Sequence, residues 1–221
     1  MDNSAIFAHV DHTLLRATAT WKEVEELCRQ AVLHKTASVC VLPSYVERVR
    51  QAFGDIVICT VVGFPLGANT TQVKGAEILT ADKHGADEFD VVVNLGDAKN
   101  GNFAEIADEI GFFRKLCGGK ILKVIVETCY LTTDEKIAMC KAVTHGGADY
   151  IKTSTGFGDG GATMDDVLLF KEHLGPGVKI KASGGIKSRD DMVAFIQAGC
   201  ERLGTSSAVK ILTEDRADGD Y

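Results

Sequence analysis

The sequence predicts a single-domain (β/α)8 barrel, the TIM-barrel fold of the α/β class, from three observations. Eight short apolar runs rich in Val, Ile and Cys alternate with eight segments of helical periodicity along the 221 residues. No change in composition divides the chain into two domains. No Gly-x-Gly-x-x-Gly turn follows the first strand, which disfavours the alternative of a doubly wound open sheet.

The elements follow one another in strand–helix pairs. The predicted strands are Phe7–Val10, Ser38–Leu42, Ile56–Val62, Glu88–Val93, Ile121–Val126, Asp149–Lys152, Val178–Ala182 and Arg202–Leu203. The predicted helices are Thr20–Lys35, Ser44–Phe53, Thr71–His84, Phe103–Leu116, Thr132–His145, Thr163–His173, Ser188–Ala198 and Ser206–Leu212. We expect residues 1–212 to form the barrel and residues 213–221 to form a polar C-terminal tail.

Local signals support these boundaries. Thr132–Glu135 has the spacing of a capping box at a helix start. A weak repeat, His84–Phe89, His145–Tyr150 and Ala198–Leu203, ends a helix at glycine and enters the next strand in each copy. Glycine suits this position because it adopts the left-handed conformation that closes helices.

Composition excludes several classes of function. A net charge of −7 argues against a nucleic-acid-binding protein. No apolar run reaches the 18 or so residues of a membrane span, and the N-terminus lacks the pattern of a signal peptide. The seven cysteines form no Cys-x-x-Cys pair, which is typical of reduced, buried thiols and not of disulfides or a zinc site. We therefore expect a cytoplasmic protein with no nucleic-acid or membrane partner.

Two lysines stand inside predicted neighbouring strands. Side chains of a parallel strand covered on both faces are buried. Lys152 and Lys181 must therefore each be paired with an anion, deprotonated, or used in the chemistry of a functional site. Two ammonium groups close together repel, which favours loss of a proton from one of them. Lowering a lysine pKa from about 10.4 to about 7 costs roughly 4 kcal/mol and prepares the amine for Schiff-base chemistry. Asp90, two strands away, could move protons. The alternative is a structural Lys–Asp–Lys charge cluster that fills the barrel.

A phosphate site is predicted from two small-residue loops. Ser183–Ile186 follows the seventh strand and Gly204–Ser207 follows the eighth. Loops at these two places commonly bind phosphate in this fold, because glycine lets backbone N–H groups approach an anion. The candidate residues are Gly184, Gly185, Gly204, Ser206 and Ser207.

Other polar residues lie near predicted strand ends, where barrel active sites are built. These further candidates are Asp11, His12, Thr13, Cys40, Asn94, Glu127, Thr128, Thr153–Thr155 and Ser183. We take Asp11, Cys40 and Thr153 from this set as candidate supporting residues. The six histidines show no metal-ligand spacing, so we expect no metal site.

Four segments together resemble the deoxyribose-phosphate aldolase family. They are Asp11–Leu15, Glu88–Gly96, Tyr150–Phe157 and Lys179–Ile186, and the match runs in order from about residue 6 to residue 210. The resemblance implies a class I aldolase that reversibly cleaves 2-deoxy-D-ribose 5-phosphate to D-glyceraldehyde 3-phosphate and acetaldehyde, in deoxyribonucleoside catabolism. It implies a sugar-phosphate substrate and no metal or other cofactor.

The resemblance also assigns roles to residues. The Schiff-base lysine falls on Lys152, the second lysine on Lys181 and the proton-transfer aspartate on Asp90. By the same resemblance, Gly156 joins the two glycine loops in binding phosphate.

This chain differs from some family members at one position and resembles some of them at its last residue. Some members carry a lysine after the glycine where this chain has Phe157. Some members end in a tyrosine that folds over the site, and this chain ends at Tyr221. We expect a homo-oligomer, a dimer or a tetramer.

Two other functions remain open at this point. One is a phosphate-binding isomerase or synthase that uses the lysines only as charges. The other is a non-enzymatic sugar-phosphate-binding or regulatory barrel. Partial activity in Lys152→Arg would favour the first, and ligand-induced thermal stabilisation without turnover would favour the second.

Overall fold

Eight parallel strands pair in sequence order, and the first strand also pairs with the eighth, which closes the barrel. The computed structural model describes residues 1–214 of the chain. The strands are β1 (Val10–Leu14), β2 (Ser38–Val41), β3 (Ile58–Val62), β4 (Glu88–Val92), β5 (Ile121–Ile125), β6 (Tyr150–Lys152), β7 (Lys179–Ser183) and β8 (Cys200–Thr205). The predicted TIM-barrel fold is therefore confirmed.

Helices surround the barrel. They are α1 (Asn3–Phe7), α2 (Trp21–His34), α3 (Val46–Phe53), α4 (Thr71–Lys83), α5 (Leu95–Lys99), α6 (Phe103–Leu116), α7 (Thr133–His145), α8 (Met164–His173), α9 (Arg189–Ala198) and α10 (Ala208–Glu214). Short 3-10 turns lie at Pro43–Tyr45 and Thr128–Tyr130. The helices cover the outer face of the sheet, so β3 and β4 are buried along their whole length.

Amphipathic helices and their caps explain why the chain folds this way locally. In α2 the buried residues Val24, Leu27, Cys28 and Ala31 recur at helical spacing and face the barrel. The capping box predicted at Thr132 is present, since its hydroxyl accepts the Glu135 N–H and the Glu135 side chain returns to the Thr132 N–H. Equivalent boxes begin α2 and α9.

The first predicted strand was wrong. Phe7 is buried in α1, which begins because the Asp2 carboxylate accepts the N–H of Ala5. The strand starts at Val10 and extends to Leu14, so Asp11 is inside it and not after it. The apolar run Phe7–Val10 contains the end of α1 and the start of β1, so the sequence pattern merged two elements.

Smaller differences concern the ends of other elements. β8 is longer than predicted at both ends, and α10 begins at Ala208 and runs to Glu214. The last helix thus contains the first two residues of the predicted tail, and the rest of that tail lies outside the described residues. Among residues 1–214, none of the helices combines the length and the apolar character needed to cross a membrane.

The weak sequence repeat has a structural counterpart at the amino-terminal edge of the barrel. Asp87 accepts the backbone N–H of Ile58 at 2.8 Å and pairs with Arg50 at 2.6 Å. Asp149 likewise accepts the N–H of Leu122 at 2.8 Å and pairs with Arg114. Each aspartate therefore connects the start of its own strand to the start of the preceding strand, and also to the helix that comes before that preceding strand.

Candidate active site

A cavity of about 450 Å³ opens at the carboxyl ends of the strands. Lys152, the last residue of β6, lines this cavity and is only 3% exposed. The structure also brings together in its wall every residue predicted to bind phosphate, namely Gly156, Gly184, Gly185, Gly204, Ser206 and Ser207. The predicted amine and the predicted anion-binding loops therefore face one another across a single space.

Close packing explains why the loops contain glycine. Gly184 and Gly185 have φ values of +75° and +74°, in the left-handed region that other residues seldom adopt. A side chain on Gly204 would place its Cβ 2.8 Å from the Cβ of Ser183. Successive backbone N–H groups in such a turn can form a concavity suited to an anion.

Lys152, Asp90 and Lys181 meet at one carboxylate oxygen. Lys152 Nζ donates to Asp90 Oδ2 at 2.8 Å, and Lys181 Nζ donates to the same atom at 2.7 Å. Lys152 and Lys181 are paired neighbours in the β6–β7 register, which brings their side chains side by side. Asp90 and Lys181 are fully buried beneath Lys152. The three residues predicted to be catalytic are thus in mutual contact.

A third lysine, missed in the sequence analysis, lies beside them. Lys123 of β5 is fully buried and donates to Asp90 Oδ1 at 2.9 Å and to Glu88 at 2.6 Å. The Cys59 thiol also donates to Asp90 Oδ1, at 3.1 Å. Lys123 stands inside an apolar run, which is the same signal that identified Lys152 and Lys181.

The interior charges form a connected group. Asp11 of β1 pairs with Lys181 at 2.5 Å and with Arg202 at 2.6 Å, and Arg202 also donates to Glu88 at 3.0 Å. We call this group the buried charge cluster; its members are Asp11, Glu88, Asp90, Lys123, Lys181 and Arg202. It contains three carboxylates and three cations, and Lys152 is a fourth cation at its upper end.

The cluster fixes the charge of its members. Burial alone would raise the pKa of Asp90, but Lys123, Lys152 and Lys181 outweigh it and hold that pKa well below its usual value of 3.8. Burial would likewise lower the pKa of Lys181, but Asp11 and Asp90 outweigh it and raise that pKa. The charge cluster considered as a structural alternative is therefore present. It lies under Lys152, which lines the cavity and, within residues 1–214, pairs with a single carboxylate, that of Asp90.

The candidate supporting residues hold the barrel together. Asp11 belongs to the buried charge cluster, and Thr153 donates its hydroxyl to the Ser183 carbonyl at 3.1 Å. Cys40 is fully buried in β2, where a hydrogen bond with Cys59 lowers the pKa of its thiol. Tyr221 lies outside the described residues.

Two groups of side chains, which share Cys59, have the spacing of a metal site. Ligand atoms of Cys40, Cys59 and Asp90 lie within 4.8 Å of one another, as do those of Asp11, Cys59 and Glu88. The carboxylates in both groups already bind cationic side chains of the cluster. A metal cation would have to displace or repel these ammonium groups, so the donor set does not fit a resident metal.

Two residues at the rim of the cavity, Phe157 and Arg16, determine whether a cation is available there. Phe157 follows Gly156, is 55% exposed and packs edge-to-face on Phe64, with ring centroids 5.3 Å apart. It supplies no cation there. Arg16, missed in the sequence analysis, lines the same cavity and pairs with Glu23 at 2.6 Å.

Comparison with known proteins places the chain in a family. The model of the DeoC/LacD family aldolases matches residues 5–207. A deoxyribose-phosphate aldolase of Clostridium botulinum (strain Alaska E43 / Type E3) is 53% identical over 220 residues, which cover 99% of this chain and 100% of that protein.

Solved structures agree with this match. The aldolase QR15 superposes with a TM-score of 0.91 at 35% identity, covering 96% of each chain. The tetrameric deoxyribose phosphate aldolase of Aeropyrum pernix superposes with a TM-score of 0.87 at 31% identity, covering 98% of this chain and 93% of that one. With its closed barrel and its lysine at the cavity floor, the chain belongs to the DeoC/LacD aldolase family.

Proposed function

We propose that this chain reversibly cleaves 2-deoxy-D-ribose 5-phosphate to D-glyceraldehyde 3-phosphate and acetaldehyde through a Schiff base on Lys152. The observation that carries the proposal is the position of Lys152, between the buried charge cluster and a cavity walled by two glycine loops. The names of the relatives at 53% and 31% identity support the choice of substrate.

Binding is assigned to the loops after β7 and β8. The phosphate is bound by backbone N–H groups at Gly184 and Gly185 and by the hydroxyl groups of Ser206 and Ser207, all of which line the cavity. This directs the aldehyde end of the open-chain sugar towards Lys152. Positioning the reactants in this way contributes to catalysis by reducing the entropy cost of the reaction.

The first covalent step requires a neutral amine. Lys152 Nζ attacks C1 of the aldehyde, and loss of water gives a protonated imine. Charge balance supports this role, since the three carboxylates of the buried charge cluster are already matched by Lys123, Lys181 and Arg202. The cluster therefore stays electrically balanced when Lys152 is neutral.

Carbon–carbon cleavage then uses the imine as the electron sink. The C2–C3 bond breaks and its electron pair moves towards the iminium nitrogen to form an enamine. The C3 hydroxyl loses its proton and becomes the aldehyde of the departing D-glyceraldehyde 3-phosphate. Asp90 is the carboxylate beside Lys152, at 2.8 Å, and receives that proton through water and Lys181. Protonation of the enamine carbon and addition of water release acetaldehyde and restore Lys152. The protonated imine makes a metal ion unnecessary in this scheme.

Reductive trapping tests the proposal. Borohydride added together with deoxyribose 5-phosphate should reduce the imine and leave a stable mass increase on Lys152. Lys152→Ala should show no adduct, and Lys179→Ala should retain it, because Lys179 is exposed at the opposite end of β7 and pairs with Glu201. An untrapped wild-type chain, or an adduct that persists in Lys152→Ala, contradicts the proposal.

The biological setting extends the same proposal. We infer a cytoplasmic homo-oligomer that acts in deoxyribonucleoside catabolism. The seven cysteines are all free thiols, which agrees with a reducing compartment, and the Aeropyrum pernix relative is described as tetrameric. Light scattering coupled to size exclusion tests the assembly, and a monomeric mass at micromolar concentration would contradict it.

A further inference from the structure

Glu127, just after β5, combines two unfavourable features. Its carboxylate is only 2% exposed and forms no ion pair within residues 1–214. Its backbone is left-handed, with φ 51° and ψ 67°, although it is not glycine. Burial of an unpaired carboxylate is costly, and such a backbone conformation costs about 1–3 kcal/mol.

The carboxylate binds the loop that follows β6. Glu127 Oε1 accepts the backbone N–H of Thr155 at 3.1 Å, and Oε2 accepts the Thr155 hydroxyl. That hydroxyl oxygen in turn accepts the backbone N–H of Phe157 at 3.0 Å. A chain of hydrogen bonds therefore runs from Glu127 around the turn at Gly156, whose φ is +85°.

Close packing connects this turn to the wall of the cavity. A Cβ on Gly158 would lie 3.3 Å from Glu127 Oε1, so the loop backbone folds closely around the carboxylate. A Cβ on Gly184 would lie 3.6 Å from the Cα of Gly156, so the turn also contacts the loop after β7. Thr155 and Gly156 both line the cavity, whereas Glu127 does not.

We propose that Glu127 is a positioning residue that holds Thr155–Phe157 against the Gly184–Gly185 loop and so shapes the phosphate end of the cavity. The inference rests on the proposed function, because it concerns binding of the same phosphorylated substrate. Glu127 does not touch the reacting atoms, and it acts through Thr155. Its loss should weaken binding of the phosphate group more than it slows the chemistry at Lys152.

Steady-state kinetics with and without the phosphate group test this role. In Glu127→Gln, the KM for deoxyribose 5-phosphate should rise about tenfold while kcat stays within about threefold. The kcat/KM for phosphate-free 2-deoxyribose should fall by less than about threefold. Thr155→Val, which removes the shared hydroxyl, should reproduce the pattern. Equal losses on both sugars, or no change on either, would overturn the proposal.

A matched control separates positioning from general loss of stability. Glu109→Gln removes another largely buried carboxylate, one that binds Lys74 and Thr71 on the outer helices. It should lower thermal stability and leave the KM for the phosphorylated sugar unchanged. If it raises that KM as Glu127→Gln does, the effect of Glu127 is merely structural.

Inorganic phosphate gives a readout that does not depend on turnover. Phosphate should raise the Tm of the wild-type chain and raise that of Glu127→Gln by less than half as much at equal concentration. If phosphate raises the Tm of the wild type more than that of Glu127→Gln, but the wild type releases no acetaldehyde, the proposed function fails and the role of Glu127 stands. Equal Tm shifts in both proteins, or none in the wild type, would overturn the role of Glu127.

Discussion

The two ends of the barrel use charged residues in different ways. At the amino-terminal edge, Asp87 and Asp149 each have one arginine partner and one backbone N–H. At the carboxyl-terminal end, Lys152 shares a single carboxylate oxygen with Lys181, and Glu127 has no cation within residues 1–214. Each of the two aspartates at the first end has a cation of its own, whereas Lys152 shares its carboxylate and Glu127 has no cation within residues 1–214.

The two ends of the barrel therefore differ in role: the charges at the amino-terminal edge stabilise the fold, and the candidate active site lies at the carboxyl-terminal end. At the amino-terminal edge, the pairing of Asp87 and Asp149 fastens strands to helices. Barrel enzymes place their active sites at the carboxyl-terminal end of the strands, where the proposed Schiff base on Lys152 would form. The buried charge cluster lies between the two ends and contacts Lys152 through Asp90.

The largest expected effect tests whether Lys152 acts as a nucleophile or only as a charge. Lys152→Arg keeps a cation beside Asp90 but cannot form an imine at neutral pH, because guanidinium stays protonated. Aldolase turnover should fall on the order of 10⁴-fold, while circular dichroism stays that of the wild type. Substantial residual release of acetaldehyde would contradict the Schiff base and would mean that the side chain at this position acts only as a charge. The acetaldehyde released from deoxyribose 5-phosphate is the measurement.

The second largest effect tests the buried charge cluster beneath Lys152. Lys123→Met removes the cation shared by Asp90 and Glu88 and leaves both carboxylates without it in a fully buried place. Breaking a buried pair on one side typically costs about 3–5 kcal/mol. Urea unfolding should show a loss of this size. A loss below about 1 kcal/mol would mean that the cluster behaves like a surface ion pair.

Acid should act on the same cluster. The pKa values of Asp11 and Asp90 are lower in the folded chain than the ordinary 3.8, because the neighbouring cations outweigh burial. Their contribution to stability is therefore complete above pH 3.8 and is lost as the pH falls below it. The free energy of unfolding should fall by up to about 1.4 kcal/mol per pH unit for each residue. Urea titrations between about pH 5 and pH 2.5 give the slope, and a flat profile would contradict it.

The smallest effect is expected at the amino-terminal edge. Asp149→Asn removes the ion pair with Arg114 but retains an oxygen that can accept the N–H of Leu122. Asp149 is 42% exposed, so the loss of stability should be about 1 kcal/mol or less. Aldolase turnover should not change. A clear loss of turnover at a stable fold would remove the distinction between the two ends of the barrel.

Much of the site could be predicted from local sequence. The alternation of apolar runs with helical segments indicated the barrel, and the rule that strand ends carry the active site selected Lys152, Asp90 and Lys181. Glycine-rich loops after the last two strands indicated the cavity wall that the structure shows. Their spacing along the chain carries this information because each strand–helix unit occupies a fixed place around the barrel.

The sequence by itself determined the order of the strands, and it predicted Lys152 and the glycine loops that the structure brings to one cavity. Only the tertiary structure decided which charges meet, because closure of the barrel joins residues as distant as Asp11 and Arg202, 191 positions apart. It also decided the role of Glu127, whose left-handed backbone and contact with Thr155 depend on the pairing of two neighbouring strands. Local sequence specifies where a side chain stands along a strand. The number of its partners is set by the strands that close around it.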